Sequence, residues 1–173
     1  MNLITKIFSY LINNLSYMYN PIAHARRLGV KIGKDCRFSG KVQFGTEPYL
    51  ITIGNHVSIS CSNFITHDGG VWIFRDEYPK VDIFGPISIG NNVFIGSGCT
   101  ILPGVSIGDN VVVGAGSIIT KDLNADSVYA GTPAKKIKTI DEYKKNLQQK
   151  SVETKFMTSA KKRDFLMNFY FGS

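Results

Sequence analysis

"IGNNVFIGSGCTILPGVSIGDNVVVGAGSIITKDL", residues 89–123, carries an aliphatic residue at every sixth position. Ile89, Ile95, Ile101, Ile107, Val113 and Ile119 keep that step without a slip. The next position is often glycine, as at Gly90, Gly96, Gly108 and Gly114. The fifth position is small or aliphatic: Val93, Cys99, Val105, Val111 and Ser117. A helix needs apolar spacings of three and four, and this much glycine and asparagine would weaken it. A plain strand alternates every two residues and has no six-residue punctuation. A short strand followed by a corner satisfies the pattern. The aliphatic residue then points inward, and glycine or asparagine takes the corner backbone. Hexads of this kind mark a parallel β-helix, whose coils stack and bury one continuous aliphatic column. The unbroken register argues against a β-sandwich with regular turns.

Upstream, Ile83 keeps the phase, and so do Ile53, Ile59, Ile65 and Val71. A weaker set, Ile32, Phe38 and Phe44, precedes a short insertion around "TEPYL", residues 46–50. After Val71 the stretch "WIFRDEYPKVDI" breaks the small-corner pattern, so an excursion loop is expected over about residues 72–82. The flanks differ in kind. Residues 3–19 and 21–28 read as short helices broken at Pro21, and residues 140–170 as one or two amphipathic helices. The expected organisation is a helical segment over 1–29, a β-helix over 30–139 and a helical tail over 140–173.

Composition bounds the functional classes. The chain has 173 residues, 43% apolar and 19% charged, which fits a folded domain. Its formal charge is +7, but the basic residues crowd toward the C-terminus, among them Lys161, Lys162 and Arg163. With no basic and aromatic interleaving on the repeat, nucleic acid is not an expected partner. Peripheral contact of the basic, aromatic tail with a membrane is one expectation, and packing on the β-helix or a neighbouring subunit is the other. Cys36, Cys61 and Cys99 are odd in number and form no CxxC pair, which favours a reducing, cytoplasmic setting over a disulfide scaffold. No apolar run is long enough to span a bilayer, and the opening residues lack a signal-peptide core. Three scattered histidines imply no metal.

The hexad array, followed by "VYAGTPAKKIK" at 128–138, resembles the hexapeptide-repeat acyltransferases over roughly residues 30–140. The pattern is similar to members that acetylate sugars or xenobiotics with acetyl-CoA. The resemblance implies an all-β fold, a left-handed parallel β-helix with three hexads per triangular coil, assembled as a homotrimer. The left hand departs from the usual right-handed crossover and comes from the resemblance alone. The implied activity is transfer of acetyl from acetyl-CoA to a sugar hydroxyl in surface polysaccharide biosynthesis. An N-acetyltransferase of amino sugars or a xenobiotic O-acetyltransferase is the alternative on the same fold, and a non-catalytic binding or assembly protein the alternative outside catalysis.

Residues 63–70, "NFITHDGG", hold the candidate base. His67 stands two residues past the inward phase, at a corner and pointing outward. His56, in "IGNHVS", also has a turn position, so placement alone does not separate them. The resemblance does: a histidine in a "THD"-like stretch before an excursion loop matches the family's catalytic histidine. A sugar hydroxyl is a poor nucleophile, and a neutral imidazole can take its proton as the oxygen attacks the thioester. Backbone N–H groups of Gly69, Gly70, Gly85 or Gly96 are equal candidates for the oxyanion. The group that orients His67 stays open among Asp76, Glu77, Asp82 and a backbone carbonyl, since adjacent Asp68 points away on an extended chain. Cys61 offers a rival acyl-cysteine route, but nothing near it in sequence lowers a thiol pKa.

Asp68, Trp72 and Tyr78 are the expected acceptor contacts, with packing of the loop on a neighbouring subunit as the alternative. The resemblance implies a cofactor site built from Gly96, Gly114, Ala115, Lys121, Thr132, Lys135 and Lys136. The small residues would leave room for pantetheine, and the lysines would meet the phosphates. Ordinary coil residues and solvated lysines are the plain alternative. His67, Gly85, Pro103 and Lys121 are spaced by eighteen. If the loop replaces a coil, Lys121 lies three coils from His67, ~14 Å away; if it is an extra insertion, the separation is shorter. The site is expected between subunits.

Overall fold

A computed structural model describes Tyr17 and residues 19–172. The expected helix over 3–19 lies outside the described residues, apart from Tyr17 and Tyr19. Helix α1 (Pro21–Leu28) is present; the Asn20 side chain caps it, and left-handed Gly29 ends it. Thirteen short strands follow: β1 (Lys31–Ile32), β2 (Arg37–Ser39), β3 (Ile51–Ile53), β4 (Ser58–Ser60), β5 (Asn63–Phe64), β6 (Ile87–Ile89), β7 (Phe94–Ile95), β8 (Thr100–Ile101), β9 (Ser106–Ile107), β10 (Val111–Val113), β11 (Ile118–Ile119), β12 (Ser127–Ala130) and β13 (Lys135–Thr139).

They form three sheets. The first runs β1-β3-β6-β9, the second β13-β12-β10-β7-β4-β2 and the third β11-β8-β5. Every pairing is parallel except β12 with β13. From β3 to β11 the chain visits the sheets in turn, so each coil has three sides and three corners. Isoleucine lies over isoleucine in the interior: Ile53 over Ile89, Ile59 over Ile95, Ile101 over Ile119. These side chains are buried and form one core.

The corner between the first and second sheets is a polar ladder. Asp35, His56, Asn92, Asn110 and Asp126 take the left-handed backbone there, a conformation that asparagine and aspartate tolerate better than most residues. The Asn55 N–H donates to Asn91 Oδ1 at 2.9 Å, and the Asn91 N–H to Asp109 Oδ1 at 2.5 Å. Each rung thereby satisfies the corner of the next.

The expected phase fails between Ile59 and Ile87. Phe64, not Ile65, pairs with Ile101 and fills the column, and Thr66 rather than Val71 is buried next. Cys61 adopts a left-handed turn that closes this corner with one residue fewer, so the register slips by one. Ile65 and Val71 are half-buried, and Ile83 is 50% exposed on the excursion. His67 therefore follows inward Thr66 directly, though it still faces outward.

The excursion begins earlier than expected. The chain leaves the coil at Asp68 and returns through Ile83, with the Asp68 N–H bonded to the Ile83 carbonyl and a bridge between His67 and Phe84. Phe64 to Ile89 takes 25 steps where Ile101 to Ile107 takes 6, so the loop adds 19 residues to one corner rather than replacing a coil. At the return point a Cβ on Gly85 would lie 2.3 Å from the Gly104 nitrogen of the next rung, a gap only glycine fits. Lys121 consequently lies two rungs from His67, about 10 Å along the axis.

The chain divides into two units after Asp141. The tail carries α2 (Ile140–Lys150) and α3 (Ser159–Phe171). The expected amphipathic pattern does not hold for α3: its charges precede its aromatic residues along the axis instead of opposing them around it. No helix among the described residues is long and apolar enough to cross a membrane.

Candidate active site

Gly45, with φ of 65°, turns the chain out of the column after buried Phe44. Residues 46–50 follow, ending in a 3-10 turn at Pro48–Leu50. Phe44 stacks on Phe64 at 5.4 Å between ring centroids. The insertion after Phe44 therefore emerges at the same corner as the excursion after Phe64, one rung away. That coincidence puts Glu47 beside His67.

Glu47 Oε2 lies 3.1 Å from His67 Nδ1. The Thr66 hydroxyl donates to the same oxygen at 2.7 Å, and the Thr46 hydroxyl to Oε1 at 2.6 Å. Thr46 Oγ1 is also 3.3 Å from His67 Nδ1. The Thr46 hydroxyl most of all, then the Thr66 hydroxyl, hold the Glu47 carboxyl below its ordinary value of 4.5; desolvation opposes them, and the bond and charge of His67 add to the lowering. A carboxylate kept ionised at Nδ1 favours the tautomer with Nδ1–H, which leaves Nε2 as the basic nitrogen. The His67 side chain is 40% exposed and that of Glu47 only 15%, so the ring meets solvent while its partner is sheltered.

His67 opens into a cleft of about 330 Å³ that Glu47, Asp68, Trp72, Arg75 and Phe84 help to line. The Asp68 carboxylate accepts the Gly70 N–H at 2.8 Å and caps a 3-10 turn over Gly69–Phe74. Arg75 pins the loop's return by donating to the Val81 carbonyl and pairing with Asp82, each at 2.9 Å. Of the glycines considered for an oxyanion, Gly70, Gly85 and Gly96 spend their N–H groups on Asp68, Thr66 and Val113. Gly69 is the one that lines the cleft with its N–H uncommitted.

The structure thus gathers His67, Asp68 and Trp72 around one cleft, with Lys121 farther along the same corner. Tyr78 is placed elsewhere, in an adjoining hollow of about 300 Å³ with Phe74, Glu77 and Val81. Gly96, Gly114 and Ala115 occupy the corner between the second and third sheets. There a Cβ on Gly96 would lie 2.6 Å from the Ala115 nitrogen, so rung stacking alone demands that glycine. Thr132 Oγ1 approaches the Gly116 carbonyl at 3.4 Å on that same corner. Lys135 and Lys136 lie on β13, the edge strand of the second sheet, where lysine also guards against edge pairing.

Sequence reasoning missed Glu47. The signal was present, because an insertion that follows an in-phase phenylalanine must leave at the same corner as the later loop. His56 resolves the other way. Its Nδ1 donates to Asn92 Oδ1 at 2.9 Å within the corner ladder. It does line the larger groove, about 450 Å³, with Asp35, Arg37 and Phe94. No carboxylate–imidazole pair is found there, so the smaller cleft is the better candidate for proton transfer. Cys61 is exposed and holds the shortened corner, and Cys99 is buried.

Comparison with known proteins bears on this arrangement. Residues 86–121 match a family described as the hexapeptide repeat of succinyl-transferase. Protein CapG of Staphylococcus aureus is 53% identical over 146 residues, spanning 83% of this chain and 85% of its own. The galactoside O-acetyltransferase of Escherichia coli (strain K12) is 32% identical over 146 residues, spanning 84% of this chain and 70% of its own. Among solved structures, the hexapeptide-repeat acetyltransferase VCA0836 of Vibrio cholerae O1 biovar eltor, complexed with acetyl coenzyme A, superposes with a TM-score of 0.52 at 27% identity. That match covers 68% of this chain and 74% of the other.

Proposed function

The chain belongs to the hexapeptide-repeat acetyltransferases, and we propose that it takes acetyl from acetyl-CoA and passes it to a hydroxyl of a sugar in surface polysaccharide assembly, with His67 as the general base. The observation that carries this reading is the Glu47–His67 pair opening on a cleft with an aromatic wall. Similarity to the galactoside O-acetyltransferase supports a carbohydrate acceptor.

The acceptor hydroxyl gives its proton to Nε2 of His67 as its oxygen attacks the thioester carbonyl. Glu47 compensates the charge that grows on the ring. The Gly69 N–H is the donor for the oxyanion. Collapse of the tetrahedral intermediate expels the CoA thiolate, and the imidazolium returns the proton to sulfur. Trp72 offers its face to a sugar ring, and Asp68 has one carboxylate oxygen left for a hydroxyl. Tyr78 would reach the acceptor only if the sugar extends into the adjoining hollow.

Lys121, Lys135 and Lys136 are the cations proposed for the CoA phosphates, and Gly96, Gly114, Ala115 and Thr132 the surface for pantetheine. Those small residues belong to a different corner from His67. In this reading a second copy brings its own corner to the cleft, in keeping with the homotrimer and the sites between subunits that the family resemblance implies. The coil takes the left hand that the family resemblance implies. The β-helix over 30–139 is the catalytic domain in this reading, with 1–29 and 140–173 as accessory segments. Three unpaired cysteines suit a reducing cytoplasm.

Free CoA thiol, read colorimetrically, should appear from acetyl-CoA only when a carbohydrate acceptor is present. Release that ignores galactosides and other sugar hydroxyls but responds to an amine acceptor would replace this reading with N-acetylation. Glu47→Gln should lower kcat roughly 10–100-fold with KM for acetyl-CoA unchanged, as expected when an orienting carboxylate is lost. Its stability effect has a definite sign. The folded pKa of Glu47 lies below 4.5, so its contribution is complete above that value and disappears as pH falls through the lowered one. Denaturation midpoints of Glu47→Gln and the parent should therefore converge in acid and differ at neutral pH.

A further inference from the structure

The segment after Asp141 breaks two local rules at once. Neither α2 nor α3 buries a side chain, although α3 ends in "FLMNFYF". Phe169, Tyr170 and Phe171 are all more than half exposed, and the Phe169 and Tyr170 rings meet edge to face at 4.8 Å. A contiguous apolar patch of this kind on a water-facing helix signals an unmet partner. The second breach is electrostatic. Lys161, Lys162 and Arg163 follow the Thr158 N-cap, and no acidic residue lies in the first turn. Cations at a helix N-terminus oppose the macrodipole, so they cost helix stability where carboxylates would add to it. Local rules broken without local compensation mark functional positions.

We propose that this tail docks on an anionic lipid surface. Lys161, Lys162 and Arg163 take the phosphate headgroups, and Phe169 and Phe171 enter the boundary between headgroups and acyl chains. Charge selects the occupant. Residues 142–173 carry seven Lys or Arg against three Asp or Glu, so two copies of the tail repel one another while anionic lipid attracts either. Length agrees: thirteen residues of helix reach about 20 Å, too short to span a bilayer but enough to tilt into one leaflet. Because the charges precede the aromatic residues along the axis, the helix would enter by its C-terminal end and not lie flat.

The test uses the full chain with sedimenting vesicles. It should bind vesicles of phosphatidylglycerol mixed with phosphatidylcholine, ignore phosphatidylcholine alone and come off in high salt. A triple variant, K161E/K162E/R163E, should lose at least roughly tenfold in partitioning. F169S/F171S should lose binding as well. Both variants should keep the parent's circular dichroism and its acetyl transfer to a soluble acceptor, which separates this inference from the catalytic one. Failure of the parent to bind anionic vesicles overturns the proposal, as does undiminished binding by the triple variant. A fall in particle mass for F169S/F171S without any vesicle binding would overturn it in favour of a contact between subunits.

Discussion

His67→Ala is expected to cut acceptor-dependent thiol release by roughly 10²–10⁴-fold, the usual worth of a positioned general base. The geometry says why the loss should be catalytic and not structural. The ring is partly exposed at the mouth of the cleft, and its removal leaves no cavity in the aliphatic column. Glu47 keeps the Thr46 and Thr66 hydroxyls as partners, so no buried charge is stranded. The variant should therefore match the parent in thermal midpoint and in acetyl-CoA affinity while losing turnover. His56→Ala is the control. It removes one link of the corner ladder on another edge, and its transfer rate should stay within a factor of about two while stability falls by about 1 kcal/mol. Full turnover by His67→Ala would move the base elsewhere and end the mechanism above.

Ile95→Ala should produce the largest loss of stability, about 2–5 kcal/mol. Ile95 is fully buried, with Ile59 paired on one side and Val113 on the other. Ladder hydrogen bonds hold those rungs at fixed spacing, so the gap left by a missing side chain cannot close. Total stabilities of domains are about 5–15 kcal/mol, so this single change removes a large share. Ile83→Ala is the informative partner. In sequence it occupies the same phase as Ile95, yet it lies half exposed on the excursion. Its effect should stay within about 0.5 kcal/mol. Denaturant titrations at unchanged slope measure both. Equal losses would mean that the column runs through Ile83 and that the register slip at Cys61 is wrong.

The contrast between Ile95 and Ile83 shows where the fold was legible. From Ile87 to Ile119 every corner has the same length, so six-residue counting placed each inward residue correctly. Between Ile59 and Ile89 one corner is shorter by one residue and another longer by 19. Counting cannot detect two compensating irregularities when Ile65, Val71 and Ile83 happen to fall in phase. Chemistry betrays the slip. Phe64 and Thr66 are the buried pair, and Thr66 is tolerated inside because its hydroxyl reaches Glu47.

The site divides in the same way. His67, Asp68 and the aromatic loop are contiguous in the chain, so a local motif was enough to find them. Glu47 is 20 residues from His67 and becomes its neighbour only because Phe44 stacks beneath Phe64. The tail divides differently again. Its basic and aromatic composition and the order of the two classes along the chain were plain, but that one helix, α3, spans both needed the structure.

The repeat, the corner residues and the family kinship were determined by the chain alone, because each coil contacts only its neighbours and local spacing carries nearly all the information. Which loops share a corner, which nitrogen of His67 is engaged and which small residues fall on a different edge from it were decided only by stacking. Those properties depend on the cumulative length of every corner, and one residue gained or lost turns everything after it to a new face.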